Sequence, residues 1–286
     1  MSYIVIGATG QLGSLTVDSL LARGIAPNQV VAAGRNTEKL AKFAERGIRT
    51  QRIDLSERSS LEGLFSAEDT VLLISGSEIG QRVAQHGNAI DAAKAAGVQR
   101  IVYTSAPKAS TSALVVAPEH KATEELIAAS GLPATILRNG WYSENYVPAV
   151  EQARETGTLL TSAGEGRVSS ASRRDYADAA AIVLTDASTT GRVYELSGDY
   201  AWNQQELAEA ISTAVGSDVA VAQVSPEEHH SALVSAGVDE STAGFLVALD
   251  GNTRDGLLSD TSGDLSALIG RPTTPLLDGL REAVSV

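Results

Sequence analysis

The sequence predicts an α/β protein built on a doubly wound parallel sheet, and three observations predict it. Apolar runs of four to six residues alternate with stretches whose apolar positions recur at three and four, as strands buried on both faces between amphipathic helices require. A glycine-rich turn stands between the first strand and the first helix. After Asn139-Gly140 the alternation stops and a second rhythm begins. Together these give a Rossmann-type domain over residues 1–140 and a smaller C-terminal α/β lobe over 141–286, partly rejoining the first domain.

Element by element, Tyr3–Ile6, Val30–Ala33, Thr50–Ile53, Thr70–Ile74, Arg100–Thr104 and Ala134–Leu137 read as strands. Leu12–Arg23, Thr37–Arg46, Gly80–Ala96 and Glu119–Ser130 read as the helices between them. Beyond Gly140 a helix is expected over Asn145–Glu155. The punctuated stretch Gly157-Thr158-Leu159 to Gly164-Glu165-Gly166 then reads as a small hairpin. Helical patterns resume at Arg174–Thr185, Asn203–Val215, Pro226–Ala236 and Glu240–Ala248, with extended pieces at Arg192–Leu196 and Val219–Val224. No repeat with a period of about 20–50 residues interrupts this plan.

Composition narrows the function classes. With 43% hydrophobic residues and a mean hydropathy of −0.01, the chain has ordinary globular character. It contains no cysteine, which excludes thiol catalysis, cysteine zinc sites and iron–sulfur clusters, and no metal site is expected. Lys and Arg number 22 against 35 Asp and Glu, a net charge of −13 that repels nucleic acid, so none is expected as a partner. No apolar run reaches the roughly 20 residues a membrane helix needs. Met1-Ser2-Tyr3-Ile4 enters a strand with no basic n-region, so no signal peptide is read and the expected address is the cytoplasm.

The first strand delivers Gly7-Ala8-Thr9-Gly10-Gln11-Leu12-Gly13. Gly7 permits the tight turn, Gly10 lets the backbone approach a pyrophosphate, and Gly13 allows the helix to pack close on the strand. The helix N-terminus then offers N–H groups to the anion. At the end of the second strand, an acid would hold the ribose 2′-hydroxyl of NAD. The chain reads Val31-Ala32-Ala33-Gly34-Arg35-Asn36 instead, with Arg35 placed 22 residues after Gly13 to clamp a 2′-phosphate. NADP(H) is the expected cofactor. Asp54, after the third strand, has two readings, a contact to the adenine amino group or a cap beside Ser56. Ile74-Ser75-Gly76-Ser77 supplies small residues where the cofactor must pass.

This N-terminal pattern resembles the short-chain dehydrogenase/reductase superfamily, whose ordinary members carry a Tyr-x-x-x-Lys pair on the helix after the fifth strand. Tyr103-Thr104-Ser105 occupies the strand end, and the following helix reads Ala117-Pro118-Glu119-His120-Lys121-Ala122-Thr123-Glu124-Glu125. Aligning Lys121 with the family lysine, an alignment supported by Glu125 four residues later and by the Ser130-Gly131-Leu132 that closes the helix, puts Ala117 at the tyrosine position. Reducing a simple ketone develops an alkoxide and needs a proton donor. A quinone instead yields a phenolate-like anion of pKa about 10, which collects its proton from water. The missing tyrosine therefore selects electron-poor conjugated acceptors. Lys121 and His120 are the remaining candidate catalytic groups, Lys121 toward the nicotinamide ribose and His120 as a proton donor; a surface role is the alternative for His120.

Aromatic residues make up 4% of the chain, yet Trp141, Tyr142 and Tyr146 fall within Leu137-Arg138-Asn139-Gly140-Trp141-Tyr142-Ser143-Glu144-Asn145-Tyr146. Flat faces just after a strand's C-terminal end suit a flat acceptor or the nicotinamide ring, while core packing is the competing role for Trp141. Trp141, Tyr142, Asn145 and Tyr146 are the candidate substrate-binding residues.

These motifs, with Ser172-Arg173-Arg174-Asp175-Tyr176-Ala177, Val193-Tyr194-Glu195-Leu196-Ser197-Gly198 and Leu268-Ile269-Gly270-Arg271-Pro272-Thr273, resemble the NmrA-like atypical branch of that superfamily. Within it, the sequence is most similar to the bacterial NADPH:quinone oxidoreductase type that is itself similar to triphenylmethane reductase. The resemblance implies that Gly7, Thr9, Gly10, Gln11, Leu12 and Gly13 hold pyrophosphate and that Arg35 holds the 2′-phosphate. It also implies that Ser75, Gly76 and Ser77 and the stretch from Asn139 through Gly140, Trp141 and Tyr142 to Glu144 frame the nicotinamide side, with Arg173 near the cofactor or the pocket mouth; Tyr103 and Thr104 are further candidate cofactor-binding residues. Implied with it are NADPH-dependent reduction of a quinone-like small molecule or, in another class, a dinucleotide-binding redox sensor without turnover. No heptad or interface stripe fixes the oligomeric state, and a homodimer is one arrangement open to it.

Overall fold

Nine strands follow one another as β1 (Tyr3–Ile6), β2 (Val30–Gly34), β3 (Arg49–Arg52), β4 (Thr70–Leu73), β5 (Arg100–Ser105), β6 (Ala134–Asn139), β7 (Thr158–Thr161), β8 (Val193–Leu196) and β9 (Ala220–Gln223) in a computed structural model, which describes residues 1–284. The helices are α1 (Gln11–Ala22), α2 (Thr37–Glu45), α3 (Arg82–Ala96), α4 (Ala117–Ser130), α5 (Val147–Thr156), α6 (Arg173–Thr185), α7 (Gln204–Val215), α8 (Pro226–Ser235), α9 (Glu240–Arg254), α10 (Asp264–Ile269) and α11 (Leu276–Val284). Two units divide the chain. The first comprises Met1–Ser110, Val116–Asn139 and Arg173–Leu196, and the second comprises Thr111–Val115, Gly140–Ser172 and the described chain from Ser197 on.

The first unit is a seven-stranded sheet in the order β3-β2-β1-β4-β5-β6-β8, every neighbouring pair parallel. Its central strands β1, β2 and β4 are buried throughout and almost wholly apolar, because helices cover both faces. Ile4, Ile6, Val71, Leu73, Ile101 and Tyr103 pack in one core with Ala89, Ile90 and Ala93 of α3 and Ile127 of α4, while α1 and α6 pack together. Chain order reverses between β1 and β4. Such a switch point opens a crevice at the strands' carboxyl ends.

Buried Arg100 explains why a late segment completes this sheet. Its guanidinium donates to the carbonyls of Val183 at 2.8 Å, Leu184 at 3.0 Å and Asp186 at 2.9 Å, satisfying orphan acceptors at the end of α6. The chain then runs into β8, which pairs with β6 from Ile136↔Val193 to Asn139↔Leu196. Residues 173–196 thus lie in the first unit and 111–115 in the second, so neither unit is one unbroken stretch.

In the second unit, the hairpin expected between Gly157 and Gly166 is corrected. Thr158–Thr161 pairs in parallel with Ala220–Gln223, and α5 packs on β7 while α7 packs on β9. A buried polar cluster closes the end of β7. Asp250 Oδ2 accepts from the Thr161 hydroxyl at 2.8 Å and the Ser162 N–H at 2.7 Å, with His229 Nδ1 at 3.2 Å. Burial pushes the Asp250 carboxyl up, but these bonds outweigh it and hold the group below its ordinary range.

Candidate functional site

Gly7 leaves β1 at φ +88°, a left-handed conformation that favours glycine, and its carbonyl accepts the Gly10 N–H at 2.9 Å. A Cβ on Gly13 would lie 2.2 Å from the Gly7 oxygen and 2.7 Å from the Ala8 Cα, so α1 rises against the turn only because that side chain is absent. At Gly10 an added Cβ would meet only the Gly7 oxygen, at 3.3 Å, leaving the outer side of the turn open. Gly10 is the N-cap of α1 and no side chain caps the helix, so its first N–H groups keep their hydrogen-bonding capacity for an anion. Thr9 and exposed Gln11 border the turn, whereas Leu12 is buried and packs beneath it.

Three cations stand around this turn. Arg35, exposed after β2, is ion-paired with Glu78. Lys39, in the first turn of α2, donates from Nζ to the Thr9 carbonyl at 3.1 Å. Arg173, at the start of α6, donates to the Gln11 side chain. Lys39 went unnoticed in the sequence; its signal was a second cation four residues after Arg35, one turn past the Asn36 cap. An open backbone cradle, an uncapped helix start and neighbouring cations fit a phosphorylated dinucleotide.

Asp54 forms an Asx turn, its Oδ1 accepting the Ser56 N–H at 2.9 Å, and it remains half-buried. The loop after β4 is held from below. Thr104 Oγ1 accepts the Ser75 N–H at 2.9 Å, and His86 Nε2 accepts the Gly76 N–H at 3.1 Å. That second bond places the His86 proton on Nδ1, which donates to Thr123 Oγ1 at 2.9 Å. Arg82 donates to the Gly76 carbonyl and pairs with Glu119 at 3.4 Å, while Glu119 accepts the Gly80 N–H at 2.8 Å. Ser77 is exposed, and Ser75 and Gly76 are half-buried. His86, Arg82 and Glu119 carried no motif, and only the fold reveals them.

Two expectations change here. Tyr103 has no exposed surface; its hydroxyl meets His120 Nδ1 at 2.9 Å, so it supports the site from within and offers no face to a nucleotide. His120 is buried as well, and burial with nearby Arg82 pushes its pKa down to about 3. At neutral pH it is an uncharged imidazole inside the fold and not a surface residue, so no imidazolium stands there to act as a proton donor. Lys121 is exposed on α4, and Ala117, at the tyrosine position, is buried. A carboxylate of the same helix, Glu124, accepts from Ser105 at 2.6 Å and pairs with Arg138 at 2.7 Å, and Arg138 also pairs with Glu195 at 2.8 Å. This network fixes the end of β6, where Asn139 is buried.

In the second unit, the aromatic loop is anchored on the segment before α6. Ala171 donates its N–H to the Trp141 carbonyl at 3.1 Å and accepts from the Ser143 N–H at 3.0 Å. Gly140, Trp141 and Tyr142 remain half-buried, and Asn145 is exposed. Tyr146 packs edge-to-face on buried Trp202 at 4.9 Å and is hydrogen-bonded to the Trp141 side chain, so it orders the loop.

A family model described as NAD(P)H-binding matches residues 7–187. Quinone oxidoreductase 2 of Escherichia coli is 42% identical over 99% of this chain and 98% of its own. A crystal structure of the E. coli NADPH-dependent quinone oxidoreductase complexed with NADPH superposes with a TM-score of 0.92 at 43% identity, covering 99% of this chain and 98% of that one. Triphenylmethane reductase from Citrobacter sp., complexed with NADP(H), gives 0.93 at 37% identity, covering 99% of this chain and 100% of that one.

Proposed function

The chain belongs to the NAD(P)H-binding family, and from that premise we propose that it is an NADPH-dependent reductase of quinones and similarly electron-poor conjugated acceptors, working without a catalytic tyrosine. The observation that carries the proposal is the open glycine cradle with Arg35, rather than an acid, following β2. The turn from Gly7 to Gly13 holds the pyrophosphate, Arg35 and Lys39 hold the 2′-phosphate, and Arg173 adds a cation beside Gln11. Ser75, Gly76 and Ser77 face the nicotinamide side, kept in place by Thr104 and His86. Trp141 and Tyr142 present flat faces to a flat acceptor, with Asn145 polar beside them. NADPH, when bound, supplies the hydride. The chain contributes no phenol at Ala117, so the reaction runs on acceptors whose reduced anion is weakly basic and takes its proton from water.

The test is NADPH consumption by the purified protein against a panel of benzoquinones and naphthoquinones. Turnover well above the enzyme-free rate, faster with NADPH than with NADH, is expected. Tight dinucleotide binding with no turnover would make the chain a sensor instead.

A further inference from the structure

Arg35 and Glu78 face each other across the glycine turn. Arg35 follows β2 and Glu78 lies on the loop after β4, and these are the two strands that flank β1. Their ion pair therefore reaches over the carboxyl end of the strand that delivers Gly7. The carboxylate is also held from its other oxygen. Gln85, a buried residue of α3, donates from Nε2 to Glu78 Oε2 at 2.9 Å and to Ser56 Oγ at 3.1 Å. Asp54, whose Asx turn fixes Ser56, adds a second carboxylate close enough for Glu78 to feel its charge.

We propose that Glu78 is a specificity-setting latch: its carboxylate occupies Arg35 in the nucleotide-free enzyme and sets how strongly a 2′-phosphate is preferred over a bare ribose hydroxyl. This rests on the assignment of Arg35 to the 2′-phosphate. A phosphate carries more charge than a carboxylate and takes the guanidinium from Glu78, but it must break that pair and settle beside a retained negative charge. A ribose hydroxyl cannot displace the carboxylate; it donates to it, as hydroxyls do to the acid of NAD-selective sites. Glu78 thus weakens NADPH and spares NADH.

The experiment is a calorimetric titration of NADPH and NADH into the wild type, Glu78→Gln, Arg35→Ala and the double variant. Glu78→Gln should tighten NADPH by roughly two- to fivefold, the scale of one exposed ion pair, without tightening NADH. The gain should shrink in the Arg35→Ala background. With Arg35→Ala selectively weakening NADPH, an unchanged or lower NADPH-to-NADH preference in Glu78→Gln overturns the latch and leaves the Arg35 assignment standing. An equal gain in both backgrounds overturns it too, reducing Glu78 to a distant charge. Arg35→Ala weakening both nucleotides alike removes the Arg35 assignment and the latch with it.

Discussion

The Tyr103 hydroxyl and His120 Nδ1 lie 2.9 Å apart inside the first unit, the tyrosine wholly buried and the histidine 6% exposed. Burial raises the phenol far above its ordinary range and lowers the imidazole, so neither changes charge near neutral pH. The pair is therefore a structural hydrogen bond beneath the loop after β4, joined to it through His86, whose ring packs on Tyr103. Tyr103→Phe should cost about 1–3 kcal/mol by leaving a buried acceptor unsatisfied, with kcat held within about twofold. Chemical denaturation and steady-state rates check this. A fall in kcat with stability intact would make the pair a proton source.

Acid should loosen the same region first. Burial, with Arg82 adding to it, lowers His86 to about 4 and His120 to about 3 from an ordinary 6.5. The unfolded chain therefore binds two protons that the folded one refuses. Stability is fully present above the unfolded value and falls as pH drops from about 6.5 toward 4, with a slope of up to about 1.4 kcal/mol per pH unit for each group. Urea midpoints at successive pH values check the slope. A flat profile over that window would place both imidazoles in contact with solvent.

The two inner glycines should fail differently. Gly13→Ala drives a Cβ into the Gly7 carbonyl, so about 1–3 kcal/mol or more of stability should be lost together with dinucleotide binding. Gly10→Ala meets one atom at 3.3 Å, so the fold should hold while its methyl group obstructs the pyrophosphate. Thermal melts beside NADPH titrations separate the two. Equal loss of stability in both variants would contradict an open outer face at Gly10.

Trp141→Ala should raise the quinone KM while leaving NADPH affinity nearly unchanged. Tyr146→Phe removes only the hydroxyl that meets the Trp141 side chain, and should raise KM less. Steady-state kinetics with one quinone checks both. Unchanged KM in Trp141→Ala would show that the indole only packs.

The sequence made the first sheet legible because β1, β2, β4 and β5 are built around contiguous apolar runs and each helix restarts the pattern, so β1 to β6 emerge to within a residue or two, polar β3 (Arg49–Arg52) included. The β7–β9 pairing was hidden, because its partners are far apart along the chain and nothing local distinguishes Thr158–Thr161 from half of a hairpin. The cradle could be read because each glycine answers a local demand of the turn. The support beneath it could not: His86 is one polar residue on α3, and only the fold brings its Nε2 under the Gly76 N–H. Tyr103 misled for the same reason, since a strand-end tyrosine points to a ligand or to the core according to which helix covers it.

A reductase that works without a proton-donating tyrosine should separate acceptors by the basicity of their reduced form, which kcat/KM with NADPH for a quinone and for an unconjugated ketone of similar size measures. Rapid reduction of the quinone, and none of the ketone above the enzyme-free rate, is expected. Comparable rates with both would contradict it, by revealing an acid in the site.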